Sequence, residues 1–322
     1  MCIRDRKNVL VIIAIMLLAG FGQASTITVC PKGCNYPSIQ EAVYSAKPND
    51  TIALGGGNYN ESIFLTKELK FVVNDNSNGT PVITGGLYTQ GYRYSVRGFG
   101  FNSVQSSPDL STENPGTKYY WIGVARQYYS AKSYFKALEA ISNALNTDSR
   151  LVYALNLEGL ILDAQGRADE AMECYDRALK IDQSYDALWV NKGADLSTIE
   201  HYEQALACFD NATKANPRDD ANWAWKSNCL SNLARYDDAL MAINKAIELN
   251  PQSSNNWANK ANVLLQLGKK NEALTTVDKA IDLSPSAVGL WDQKGSILQT
   301  IGGRNADADA AFAKSRELNG IP

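Results

Sequence analysis

Residues 189–222, WVNKGADLSTIEHYEQALACFDNATKANPRDDAN, and residues 223–256, WAWKSNCLSNLARYDDALMAINKAIELNPQSSNN, decide the fold when one is written above the other. Each opens on a tryptophan, has a lysine three places on and a small residue four places on, and runs through Asn-Pro to the next tryptophan. Extending this period of about 34 residues both ways gives openers at Trp121, Leu155, Trp189, Trp223, Trp257 and Trp291. Small residues recur in phase at Ala125, Gly159, Gly193, Ser227, Ala261 and Gly295. Large ones follow at Tyr128, Leu162, Leu196, Leu230, Leu264 and Leu298. The second half of each unit repeats alanine, at Ala137, Ala171, Ala205, Ala239, Ala273 and, one place late, Ala308. A further alanine comes seven later at Ala144, Ala178, Ala212, Ala246 and Ala280, and Pro217, Pro251 and Pro285 close three units.

Two antiparallel helices approach closely only where small residues meet, and a large opener then fills the neighbouring gap. One such hairpin cannot bury its apolar face, whereas six stacked in series bury a continuous core. With that period and those positions the segment resembles the tetratricopeptide family. The resemblance implies an all-α superhelix, an α-solenoid, of six repeats at 118–151, 152–185, 186–219, 220–253, 254–287 and 288–322. Its concave groove, lined by the first helix of each repeat, is expected to bind a peptide or protein. At 100° per residue, positions one, five and eight after an opener share a face. That face carries Arg126, Tyr129, Asn156, Asp163, Asn228, Asn262, Asp292 and Gln299, with Tyr119 and Tyr153 two places before their openers. Its amides suit an extended peptide backbone. Lys192, Lys226, Lys260 and Lys294 form a ladder three places after the openers. Solvated ammonium heads on snorkelling stems are expected there, an anionic partner being the alternative.

Between Thr26 and Asn102 the chain is rich in Thr, Val, Ile, Gly, Asn and Tyr. Strands are expected at 26–29, 51–54, 62–65, 69–73 and 81–83, separated by turn signals at 48–50, 55–58, 75–79 and 85–86. Ser38 is the expected N-cap of one helix, which carries Ile39, Ala42 and Val43 on one face. The string CNYPSIQEAVYSAKPNDTIALGGGNYNESIFLTKELKF, with PVITGG and SVRGFGF after it, resembles the opening of the pectin-lyase-like right-handed parallel β-helix family. That resemblance implies a truncated β-helix-like segment over 25–102, capped by the helix. The family's catalytic residues stand on later coils, so no active site is carried over. Residues 103–117, poor in apolar side chains, read as a linker between two domains.

Arg4, Arg6 and Lys7 precede an apolar run from Val9 to Leu18, and small residues follow to Ala24. Residues 1–24 therefore read as a signal peptide cut after Ala24, an uncleaved anchor being the alternative. The leading MCIRDR resembles sequencing-adapter read-through. A secreted or cell-surface protein is expected, with no membrane span after cleavage. Export permits a disulfide between Cys30 and Cys34 and glycans on Asn60 and Asn78, while Cys174, Cys208 and Cys229 read as buried small hydrophobes.

A formal net charge of -3 offers no basic face to phosphate, which excludes nucleic acid as an expected partner. His201 is the one histidine, which removes the commonest general base and metal ligand. No nucleophile, base and orienting group form a set, so neither enzymatic activity nor a metal or cofactor is expected. The expected function is a binding scaffold. The alternative is a carbohydrate-binding surface protein that would meet cell-surface polysaccharide through Tyr88, Tyr92, Tyr94 and Phe99.

Overall fold

The computed structural model describes residues 24–30, 34–36, 38–59, 61, 63–74, 81–83, 87–88, 94–97, 104–105 and 116–320. The chain divides into two compact units, Met1–Pro108 and Asp109–Pro322. Residues 1–23, most of the stretch read as a signal peptide, lie outside the described residues, as do Asn60, Asn78, Tyr92 and Phe99.

Among the described residues the first unit holds nine short strands: β1 Thr26–Val29, β2 Thr51–Leu54, β3 Gly57–Tyr59, β4 Ile63–Phe64, β5 Leu69–Val73, β6 Pro81–Ile83, β7 Leu87–Tyr88, β8 Tyr94–Arg97 and β9 Val104–Gln105. They form three parallel sheets, ordered β1-β2-β5-β8, β3-β6 and β4-β7-β9. Thr26 pairs with Thr51, Thr51 with Lys70, and Leu69 with Tyr94, so the chain returns to the same sheet after visiting the others. β3 occupies part of the glycine-rich stretch read as a turn, and β9 starts inside the expected linker by pairing with β7. Neither strand has enough residues to show an alternation of its own; pairing with a neighbour supplies its order.

Helix α1, Ile39–Ser45, begins at Ser38, whose Oγ accepts from the Glu41 amide. Glu61 completes this cap by accepting from Ser38 Oγ at 2.7 Å and from the Ile39 and Gln40 amides. Ile39, Ala42 and Val43 pack into a core with Ile52, Leu54, Ile63, Leu69 and Phe71. Lys67 is 1% exposed and donates to the carbonyls of Tyr44 and Ala46, which extends the backbone acceptors at the end of α1 into the interior. Cys30 and Cys34 are joined by a disulfide.

Among its described residues the second unit holds twelve helices in six hairpins. They are α2 Lys118–Ser130 with α3 Tyr134–Thr147, α4 Val152–Asp163 with α5 Ala168–Leu179, and α6 Asp186–Thr198 with α7 Tyr202–Ala215. The remaining pairs are α8 Asp220–Asn232 with α9 Tyr236–Leu249, α10 Ser254–Gln266 with α11 Lys270–Leu283, and α12 Val288–Ile301 with α13 Asn305–Leu318.

Size complementarity holds each hairpin together. A Cβ placed on Gly193 would sit 2.8 Å from Phe209 Cε1, and one on Gly295 would sit 2.6 Å from Phe312 Cε1; Gly159 meets Tyr175 in the same way. Where the small position is Ala125, Ser227 or Ala261, the position equivalent to Phe209 is Ile141, Ile243 or Val277. Larger partners therefore go with glycine and smaller ones with alanine or serine.

Three of the four ladder lysines differ from the expectation of solvated heads. Lys226 pairs with Asp210 and Lys294 with Asp278, each at 2.8 Å, and Lys192 pairs with Asp176. Each pair ties the first helix of a hairpin to the second helix of the one before. The openers add a further tie, because the indole N–H groups of Trp223, Trp257 and Trp291 donate to the carbonyls of Pro217, Pro251 and Pro285 at 3.0, 2.9 and 2.9 Å.

Candidate functional site

The first helices of successive hairpins touch one another and present one continuous face. Between α8 and α10 this face opens into two clefts of about 350 and 510 Å³ that share Asn228 and Asn259. Ala221, Ala224 and Ala258 make part of one wall, and their small side chains leave room for a ligand. Trp225 stands at the edge, 42% exposed, with its ring stacked on Phe209 at 5.9 Å between centroids and 11° between planes. Asn228, Asn232, Asn255, Asn259 and Gln266 line the clefts, and none forms a side-chain hydrogen bond among the described residues. The Asp220 carboxylate in the first cleft is already engaged by Asn256 at 2.7 Å and by Asn250. Asn222 likewise donates to Asp186 at 2.8 Å one hairpin earlier. These buried amide–carboxylate contacts set the spacing between neighbouring first helices.

Of the residues singled out by helical phase, Asn228 and Asn262 come together in the larger cleft. Asn262 also accepts from Gln293 Nε2 at 2.6 Å. Asn156 departs from the expectation: it is 6% exposed and accepts from Asn191 at 2.9 Å, because the position one after the opener is covered by the next first helix. Asp163 is turned to the Tyr175 hydroxyl, which donates to it. Arg126 lies beside Tyr153, whose phenol pKa is raised by burial against the pull of the arginine charge. Tyr129 packs against Tyr134 at 6.0 Å. Asp292 and Gln299 are exposed on the last hairpin, away from both clefts. Sequence reasoning missed Trp225, Asn232, Asn259 and Gln266. They stand two and nine places after their openers, so a stripe at two, five and nine would have found them. Of the aromatic residues named for a carbohydrate, Tyr94 is 38% exposed.

The sequence model of the tetratricopeptide repeat matches residues 152–185, and that of anaphase-promoting complex, cyclosome, subunit 3 matches residues 198–280. No curated protein matches the chain. Among solved structures, a chain of the APC/C hetero-tetramer Cut9-Hcn1 is similar with a TM-score of 0.55 and 15% identity, over 66% of this chain and 42% of that one. pilF of Pseudomonas aeruginosa gives 0.54 and 16%, over 62% of this chain and 91% of that one. The C-terminal part of a TPR repeat-containing protein from Cytophaga hutchinsonii gives 0.51 and 17%, over 66% and 88%. The helical unit is a tetratricopeptide-repeat array.

Within the tetratricopeptide array, one group of side chains departs from ordinary surface chemistry. Asp163 on α4 and Asp195 on α6 face each other beside Tyr175. Asp163 Oδ1 and Asp195 Oδ2 are buried with no hydrogen-bond donor among the described residues. Burial, and then the neighbouring Asp163 charge, push the Asp195 carboxyl up to about 7. Burial also raises Asp163, and the Tyr175 phenol is raised by burial and by Asp163. Two carboxyls that cannot both ionise cheaply hold a proton between neighbouring repeats.

Cys174, Cys208 and Cys229 are buried thiols. Burial pushes Cys174 up to about 12 and Cys229 up to about 11, values that leave almost no nucleophilic thiolate at neutral pH. Among the described residues no group of three or more His, Cys, Asp or Glu is placed to hold a metal ion, and no helix is long and apolar enough to cross a membrane.

Proposed function

We propose that this protein is an interaction scaffold that holds an extended, uncharged peptide along the clefts of the fourth and fifth repeats. One observation carries the reading: a run of amides with no internal partner flanks an exposed, backed tryptophan. Amide side chains offer both donors and acceptors, which matches the alternating N–H and C=O groups of an extended backbone. Trp225 offers a flat apolar face to a ligand side chain, and Phe209 behind it limits its motion. The one carboxylate in the first cleft is already engaged by asparagines, so the site favours a neutral segment over a charged tail. Repeat arrays of this fold present such surfaces without catalytic groups, which agrees with a binding role and no enzymatic one.

The chain is exported, to the surface or beyond, with the first unit as an attachment or capping piece. The basic start, the apolar run and the Cys30–Cys34 bridge support that location. The first unit is the opening coils of a parallel β-helix, a reading supported by wholly parallel pairing and by return of the chain to each sheet in turn.

The test is a pull-down from surface extract of the source, comparing the native chain with Trp225→Ala and with Asn228→Ala plus Asn262→Ala. A defined protein or peptide retained by the native chain, and held about ten-fold more weakly by both variants, is expected. Equal retention by all three chains would move the binding surface elsewhere. Polysaccharide held equally by all three would put it on the first unit.

A further inference from the structure

Asp50 lies immediately before β2, in the first unit, and is 2% exposed. Oδ1 accepts from the Ser25 backbone nitrogen at 2.6 Å. Oδ2 accepts from Ser25 Oγ and from the Lys47 amide, each at 2.8 Å. The Thr51 amide donates to the Ser25 carbonyl at 2.8 Å, which fixes Ser25 at the start of the β1–β2 ladder. Among the described residues no lysine, arginine or histidine side chain pairs with this carboxylate. A buried carboxylate surrounded only by neutral donors is costly, and two of its three hydrogen bonds come from one residue. That residue follows Ala24, and both are exposed to solvent.

We propose that the Ala24–Ser25 bond is hydrolysed on export and that the α-ammonium so created at Ser25 becomes the counter-ion of Asp50. An endopeptidase of the export machinery adds water across the bond. The Ala24 carbonyl carbon leaves as a carboxylate, and the Ser25 nitrogen takes up protons to become an ammonium. The nitrogen already lies at charge-assisted hydrogen-bond distance from Oδ1, so no rearrangement of β1 is needed. Before the cut Asp50 holds an amide N–H, and after it the same contact becomes an ion pair between a buried carboxylate and an ammonium at the surface. Maturation thereby stabilises the first unit. Asp50, itself held by the Lys47 amide, clamps the new terminus from one side, while the Thr51 amide on β2 clamps it from the other.

The inference rests on the export reading, and the experiment separates the two. The full 322-residue sequence is expressed in a secreting host, and the N-terminus of the exported product is read by Edman degradation and intact mass. Melting followed by circular dichroism in the strand region is then compared for chains starting at Ser25 and at Ala24, each with and without Asp50→Asn. A product starting at Ser25 is expected. Restoring Ala24 should lower its Tm by roughly 2–4 °C, and by less than half as much in the Asp50→Asn background. A product starting at Ser25 whose melting ignores Ala24 keeps export and overturns the ion pair. A product retaining the leader, or cut elsewhere, overturns the proposal itself. If Asp50→Asn fails to fold, the two native chains, with and without Ala24, decide alone.

Discussion

Single residues set the tolerances of this array. Gly193 lets Phe209 reach the backbone of α6, and a Cβ at 2.8 Å has nowhere to go, because Phe209 is itself held against Trp225. Gly193→Ala is therefore expected to cost about 1–3 kcal/mol, read as a lower denaturant midpoint. Asp195 gives the opposite sign. Its folded pKa of about 7 exceeds the unfolded value, so the folded state binds the extra proton. Its contribution is fully present below the unfolded carboxylate pKa and is lost as pH rises through about 7. Asp195→Asn keeps a donor toward Asp163 without the charge. The variant should melt with less dependence on pH between 4 and 7, and should exceed the native chain at pH 8 by about 1 kcal/mol after allowance for solvent reaching the pair. The glycine at 193 was legible from its recurrence. The carboxyl pair was not, because Asp163 and Asp195 meet only when two repeats stack and their separation matches no marker of the period.

Elements repeat a turn as well as a face. The residue eleven places after each opener, just beyond the first helix of its hairpin, has positive φ, as at Lys132, Gly166, Glu200, Ala234, Gly268 and Gly302. At Ala234, φ is 56°, a left-handed conformation that glycine adopts at lower cost. Ala234→Gly should stabilise the fourth hairpin by about 0.5–1 kcal/mol, measured by urea unfolding; a loss of stability would show that the turn is set by contacts of Ala234. The lysine–aspartate ladder has one missing rung. Asp176, Asp210 and Asp278 share a phase with Asn244, and Lys260 lies over the Trp257 ring at 5.6 Å without an ion-pair partner among the described residues. Asn244→Asp should supply the partner and add roughly 0.2–1 kcal/mol, an effect that 1 M salt removes. The twelve helices of the array were legible from openers, small positions and alanines. The lysines were legible as a series, but their partners sit on the preceding hairpin, and no pattern along one helix identifies them.

At the scale of the whole molecule, the cysteines of the two units are in different states. The Cys30–Cys34 disulfide belongs to the first unit, and Cys174, Cys208 and Cys229 are buried thiols of the second. Mild reduction should lower the melting of the strand signal and leave the helical transition unmoved. In the native state at pH 7 a thiol reagent should find these three cysteines slow, and denaturation should release them; fast native labelling of any one would contradict the packing described. The sequence by itself determined the repeat, its phase, five of the nine described strands, the order of the helices, and a helical array with a polar first-helix face. Local periodicity and residue size suffice for those, because each hairpin closes through contacts within one period. Tertiary structure alone decided that Asn156 is covered, that Trp225 and Asn259 line the open cleft, that three of the four ladder lysines are paired and that Asp50 meets Ser25. Each of those depends on which neighbouring element arrives to cover or engage a side chain, and a helical face read in isolation contains no record of its neighbour.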